Sequence, residues 1–188
     1  MGAAPQGARA SAAGLTVWLT GLPSAGKSTI ADGVAARLRA EGRRVEVLDG
    51  DEVRTNLTRD LGFSRSDREE NVRRIGFVAS LLARHGVITL VPVIAPYASS
   101  RHQVRSGHTD LGLDFVETYV ATPVSVCSSR DVKGLYALQR DGGLSGLTGV
   151  DDPYEAPAEP DLVVQAHIQT PEESIDTVHA FVLTRIPR

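Results

Sequence analysis

Gly21-Leu22-Pro23-Ser24-Ala25-Gly26-Lys27-Ser28 is the stretch on which the fold turns. It satisfies G-x-x-x-x-G-K-[ST] without a gap, and the sequence on either side supports the match. Ahead of it, Leu15–Thr20 is an apolar run that predicts a strand. Behind it, a helix is expected over Lys27–Glu41, with Ile30, Val34 and Leu38 spaced along one face and Gly42 as terminator. Glycines let the backbone curl so that its N–H groups point at phosphate oxygens, and the following helix presents its positive end. Lys27 is then placed to reach the β- and γ-phosphates of a nucleotide, and the Ser28 hydroxyl to ligate Mg²⁺.

Outward from this loop, strand and helix signals alternate. Val45–Leu48 reads as a short strand ending at Asp49-Gly50-Asp51, followed by a short helix over Asp51–Asn56. Ser66-Asp67-Arg68-Glu69 reads as a capping box opening a long helix whose buried stripe is Val72, Ile75, Ala79 and Leu82. Val87–Ile94 is a continuous β-branched run suited to a central strand, and Phe115–Ala121 and Leu162–Gln165 are further strands. Thr170-Pro171-Glu172-Glu173 opens the last helix with a cap and a proline in its first turn. The expected fold class is α/β: a P-loop NTPase-type α/β/α sandwich in three layers, around a mainly parallel sheet of about five strands. Residues 15–188 form the domain and 1–14 a disordered tail. Arg130–Pro157, polar and glycine-rich, is expected to be an irregular, mobile lid.

Composition narrows the function. The chain has 188 residues, 41% hydrophobic and 23% charged, with a net charge of −3. That balance suits a globular enzyme and gives no reason to expect a nucleic-acid partner. The longest apolar run, Val87–Pro96, is too short to span a bilayer, so no membrane partner and a cytoplasmic location are expected. Cys127 is the single cysteine, which excludes a disulfide framework; it reads as a small buried apolar residue. His85, His102, His108, His167 and His179 show no ligand spacing and are expected at the surface or at helix ends. Among 20 basic residues only Lys27 and Lys133 are lysines.

A phosphate loop does not choose among switch GTPases, ATPases and small-molecule kinases. Many of the first two carry an aspartate at the end of a neighbouring apolar strand, but Val87–Ile94 runs into Ala95-Pro96-Tyr97. The carboxylates Asp49 and Asp51 follow the second strand instead, and no Asn-Lys-x-Asp guanine signature occurs. A small kinase fits. Asp51 could orient or deprotonate an attacking hydroxyl and help hold metal-bound water, or cap the short helix, or do both. Arg54, Arg68 and Asn71 group beside it as candidates for an anionic acceptor, since arginine forks suit phosphate-like groups.

The chain resembles the adenylyl-sulfate kinases over residues 15–185. The carrying motifs are Trp-Leu-Thr-Gly-Leu-Pro-Ser-Ala-Gly-Lys-Ser-Thr (18–29), Leu-Asp-Gly-Asp-Glu-Val-Arg (48–54) and Asp-Leu-Gly-Phe-Ser (60–64). They continue with Asp-Arg-Glu-Glu-Asn-Val-Arg-Arg-Ile-Gly (67–76), Arg-Asp-Val-Lys-Gly-Leu-Tyr (130–136) and Leu-Thr-Gly-Val-Asp-Asp-Pro-Tyr-Glu-Ala-Pro (147–157). The resemblance implies transfer of the ATP γ-phosphoryl group to the 3′-hydroxyl of adenosine 5′-phosphosulfate, giving PAPS for sulfate assimilation, with Mg²⁺ and as a homodimer. It puts Gly21, Leu22, Pro23, Ser24, Ala25, Gly26, Lys27, Ser28 and Thr29 on ATP, with Arg130 near its adenine. Lys27 and Asp51 are implied as catalytic, and Ser28 and Asp51 at the metal. Asp51, Glu52, Val53, Arg54, Phe63, Arg68 and Asn71 surround the acceptor. Ile94 and Ala95 line it mainly through backbone, while Lys133, Gly146 and Leu147 close over it, with Arg140 brought towards the ligands.

Two positions depart from the family pattern. Ala95 stands where many members have the serine of Ile-Ser-Pro, so a covalent phosphoserine is impossible and direct in-line transfer remains. Leu147 stands where many have phenylalanine, so only Phe63 can stack on the acceptor adenine, a loss on the order of 1 kcal/mol of binding. Two other readings stay open at this point: a P-loop kinase for another nucleoside-like hydroxyl, and a catalytically silent nucleotide-binding partner of a sulfate-activation complex.

Overall fold

In the computed structural model, which describes residues 14–186, five parallel strands form one sheet in the order β2-β3-β1-β4-β5. The strands are β1 (Leu15–Thr20), β2 (Val45–Val47), β3 (Ile88–Pro92), β4 (Asp114–Val120) and β5 (Leu162–Val164). β1 pairs on both sides, with Val17 opposite Leu90 of β3 and Val116 of β4, so all six of its residues are buried. The seven helices among the described residues are α1 (Lys27–Ala40), α2 (Gly50–Asn56), α3 (Arg65–Arg84), α4 (Ala98–Asp110), α5 (Val124–Arg130), α6 (Leu135–Arg140) and α7 (Pro171–Leu183). α1 and α7 pack together, as do α3 and α4, each pair against the sheet, which gives the three expected layers.

Two apolar clusters fill the gaps between layers. Ile30, Val34 and Leu38 of α1 join Leu15, Val17 and Leu19 of β1 and Val178 of α7 in one. Trp18 and Val91, pointing to the opposite face, meet Val72, Ile75 and Ala79 of α3 and Val104 of α4 in the other. No described helix is long and apolar enough to cross a membrane.

Several local readings need correcting. α3 starts two residues earlier than the Ser66 box implied: Ser64 is the cap and accepts from the Asp67 amide. Its inner stripe ends on Ala83 rather than Leu82. Asp49, not Asp51, caps α2 and accepts from the Asp51 amide at 2.9 Å. The strand expected over Val87–Ile94 is shorter, running over Ile88–Pro92, with the Val93 N–H donating to the Leu19 carbonyl at 3.1 Å just beyond it. Residues 1–13 of the expected tail lie outside the described residues, but Gly14 belongs to the fold. It is buried, its N–H donates to the Ala83 carbonyl at 2.7 Å, and an added Cβ would lie 2.1 Å from the Val87 carbonyl.

Three helices, α4, α5 and α6, were not foreseen. α4 has no apolar stripe: its buried residues are Ser100, Arg101, Val104 and His108. His108 lies in the last turn of α4, a helix end as expected, but is 1% exposed rather than at the surface. Its Nδ1 lies 2.8 Å from the Val104 carbonyl and must donate there, leaving Nε2 to accept from the Thr16 hydroxyl at 3.0 Å. Burial holds its pKa below the usual histidine value. α6 lies inside the stretch expected to be irregular, where Tyr136 and Leu147 join the core cluster. Cys127 is fully buried, as its small apolar character suggested.

Candidate functional site

The carboxyl ends of the strands open onto a cleft of about 660 Å³. The helix after β1 covers one face of the sheet and the helix after β3 the other, so the chain parts between these neighbouring strands and leaves a crevice. At one end are the loop from Pro23 to Thr29, Arg130 and Ala166; at the other are Asp51, Arg54, Phe63, Arg68, Asn71, Ile94 and Ala95.

The phosphate loop is folded so that its carbonyls are occupied. Gly21 lets β4 come close, since a Cβ there would lie 2.7 Å from the Val120 carbonyl. Gly26 holds φ 108° at the start of α1, where no side chain caps the helix and no acidic residue sits in the first turn. Lys27 Nζ donates to the Gly21 and Leu22 carbonyls at 2.9 and 2.7 Å. Tyr136 Oη donates to Pro23, and Thr122 Oγ1 and Arg130 Nη1 donate to Ala25. Carbonyl lone pairs that would repel an anion are therefore directed at side-chain donors, while the open helix terminus attracts one. Burial lowers the Lys27 pKa to about 8, the opposing pull of nearby Asp49 and Asp51 being smaller.

Ser28 Oγ donates to Asp49 Oδ2 at 2.8 Å. Two hard oxygens this far apart fit adjacent corners of a Mg²⁺ octahedron, whose ligand distances of about 2.1 Å put neighbours about 3 Å from each other. Sequence reasoning noted Asp49 at the end of the second strand but assigned the metal to Ser28 and Asp51. The structure brings Asp49 to Ser28, whereas Asp51 forms an ion pair with Lys133.

At the other end of the cleft, Arg54 stacks its guanidinium over the Phe63 ring at 4.4 Å and donates one hydrogen bond, to the Gly62 carbonyl. Desolvation, followed by the Arg68 charge, lowers its pKa. Phe63 is 68% exposed at the cleft rim, as an aromatic awaiting a planar partner would be. Arg68 is 8% exposed and far more committed than a surface arginine. It donates to the carbonyls of Phe63 and Gly146 and the Thr148 hydroxyl, and pairs with Asp152 at 3.2 Å. The three hydrogen bonds use three of its five N–H groups, so two remain beside the Asp152 ion pair. Asn71 accepts from Thr58 Oγ1 at 2.7 Å, which turns its amide oxygen into the protein.

Other expected positions stand back from the cleft wall. Val53 is buried against Trp18 and Val72, and Leu147 packs in the cluster containing Leu22. Gly146 is held by Arg68, Glu52 is exposed on α2, and Arg140 ends α6 exposed. Leu147 and Phe63 therefore do not form a symmetric sandwich here. Thr122 and Tyr136 were missed because a hydroxyl that ties back a loop carbonyl leaves no pattern in sequence.

A family model described as adenylylsulphate kinase matches residues 13–165. An adenylyl-sulfate kinase of Microcystis aeruginosa is 56% identical over 165 residues, covering 88% of this chain and 89% of that protein. The Mycobacterium tuberculosis APS kinase CysC, solved in complex with AMPPNP and APS, superposes with a TM-score of 0.89 at 44% identity, covering 92% of this chain and 99% of that one. A hexameric APS kinase from Thiobacillus denitrificans gives a TM-score of 0.70 at 36% identity, with 93% of this chain and 30% of that one covered.

Proposed function

The chain belongs to the adenylyl-sulfate kinase family and acts as a kinase on adenylyl sulfate, and from that premise we propose how the cleft performs the transfer. ATP lies with its phosphates on Gly21–Thr29 and its adenine by Arg130. Adenosine 5′-phosphosulfate lies opposite, against Arg54, Phe63 and the Ile94–Ala95 backbone. The observation that carries this reading is the placement of a phosphate loop and an arginine–aromatic pair on facing ends of one cleft.

Lys27 leaves the Gly21 and Leu22 carbonyls and follows the transferring phosphoryl group, whose charge favours the ammonium form. Ser28 and Asp49 would hold Mg²⁺, which would supply further neutralisation of the phosphates. Asp51 releases Lys133 and accepts a hydrogen bond from the acceptor 3′-hydroxyl, aligning it for in-line attack on the γ-phosphorus. Arg54 supplies most of the free donors for the phosphosulfate, while Arg68, with two N–H groups left, holds Gly146–Thr148 in place. Residues 130–133 close over the phosphates and exclude water, which would otherwise hydrolyse ATP. Ala95 carries no hydroxyl, so no phosphoserine intervenes. The homodimer and the cytoplasmic location are part of the same proposal.

A coupled assay with ATP, Mg²⁺ and adenylyl sulfate tests it, with PAPS as the expected product. Phosphorylation of a different nucleoside with no turnover of adenylyl sulfate would overturn the acceptor assignment. Nucleotide binding without any turnover would instead support a silent binding partner.

A further inference from the structure

Ile94 and Ala95 meet the acceptor side of the cleft through their backbone, and the backbone there is unusual. Ala95 sits at φ 44°, a left-handed conformation that strains any residue with a Cβ, and it is 3% exposed. A strained turn of this kind persists only where its surroundings over-determine it. Here both carbonyls of the step are held by groups that do not line the cleft. Thr20 Oγ1, itself 3.0 Å from Tyr154 Oη, donates to the Ile94 carbonyl at 2.6 Å. Arg101 Nη1 donates to the Ala95 carbonyl at 2.7 Å.

Arg101 is unlike the surface arginines of this chain. It is 3% exposed, on the buried side of α4, and all three of its nitrogens are engaged. Nε donates to Glu117 Oε1 of β4 and Nη2 to the Glu155 carbonyl, each at 2.7 Å. Glu155 reaches back to the same turn: its N–H donates to the Pro96 carbonyl and its carboxylate accepts from the Ala98 amide. A lysine could not bridge these three directions at once, because only the planar guanidinium fork presents donors at fixed angles.

We propose that Arg101, anchored by Glu117, is a positioning residue for the acceptor: it locks the Ala95 turn and keeps the Ala95 carbonyl from facing the phosphosulfate nucleotide. The inference rests on the functional reading above, in which adenylyl sulfate lies beside Ile94–Ala95. An anionic substrate gains from every carbonyl oxygen removed from its wall, whereas ATP, bound at the loop and Arg130, does not touch this turn. Loss of Arg101 should therefore separate the two substrates.

The test is steady-state kinetics on the full chain with both substrates varied, alongside thermal unfolding. Arg101→Lys should raise the KM for adenylyl sulfate about tenfold while the KM for ATP stays within about twofold. Ala95→Gly in the Arg101→Lys background should recover part of that loss, because glycine adopts a positive φ without strain. A structural role alone would move both KM values together and show no recovery. Glu117→Gln, which keeps an acceptor for Nε, should give a weaker version of the same split and serves if Arg101→Lys fails to fold. An active wild type whose variants show no split overturns this inference alone. A wild type inert towards adenylyl sulfate overturns the functional reading and this inference with it.

Discussion

Lys27 and Asp51 each rest on a protein partner that ligands must replace. The Lys27 ammonium rests on two loop carbonyls and Asp51 on Lys133. Lys27→Ala and Asp51→Ala are both expected to abolish PAPS formation while leaving the protein folded. Emission from Trp18, the one tryptophan and fully buried, reports whether the fold is kept. Near-wild-type turnover in Asp51→Ala would remove it from the chemistry. The depressed Lys27 pKa sets a pH dependence as well. ATP prefers the charged ammonium, so binding draws a proton onto Lys27 once the pH exceeds about 8. Affinity for ATP, measured by titration calorimetry, should weaken as pH rises above that value, by up to about tenfold per unit. The proton count should rise over the same range.

At the scale of elements, α4 shows why a helix can escape notice. Its inner face is polar, and its two large buried polar side chains reach across the fold: Arg101 to Glu117 and His108 to Thr16. Periodicity of apolar residues cannot report such a face. The same burial makes His108 acid-sensitive. Its folded pKa lies below the ordinary value near 6.5, so the unfolded chain takes up a proton first as pH falls. The contribution of His108 to stability is thus present above pH 6.5 and shrinks below it. In urea unfolding, the advantage of wild type over His108→Gln should narrow as pH is lowered.

α3 and α4 also meet closely at Gly76, where an added Cβ would lie 2.7 and 2.9 Å from the Val104 methyls. Helix propensity favours alanine over glycine by about 1 kcal/mol. Val104 is nevertheless β-branched and buried, and cannot swing aside. Gly76→Ala should therefore destabilise by about 1–3 kcal/mol in the same experiment, against the propensity trend. The last helix behaves more simply. Thr170 and Glu173 form the reciprocal capping box read from the sequence, and Thr170→Ala should cost about 1 kcal/mol.

For the molecule as a whole, the site exists because five strand ends and the loops after them converge, and ligands should tighten the fold. ATP with Mg²⁺ at a hundred times its Kd is expected to stabilise wild type by about 2.7 kcal/mol, read as a raised unfolding temperature, and to leave Lys27→Ala unchanged. The loop, the strand before it, the helix after it and the choice of kinase over switch protein were all legible in order along the chain. Their signals are local: spacing, glycine placement and apolar period act within a few residues. Tertiary structure alone decided that Asp49 meets Ser28 while Asp51 meets Lys133, that Arg68 clamps Gly146–Thr148, and that Arg101 grips the Ala95 turn. Each of these joins residues far apart in sequence, and a hydrogen bond leaves no period to read. What is local in energy was visible in the sequence; what depends on two distant groups sharing one proton or one charge became visible only when the chain closed on itself.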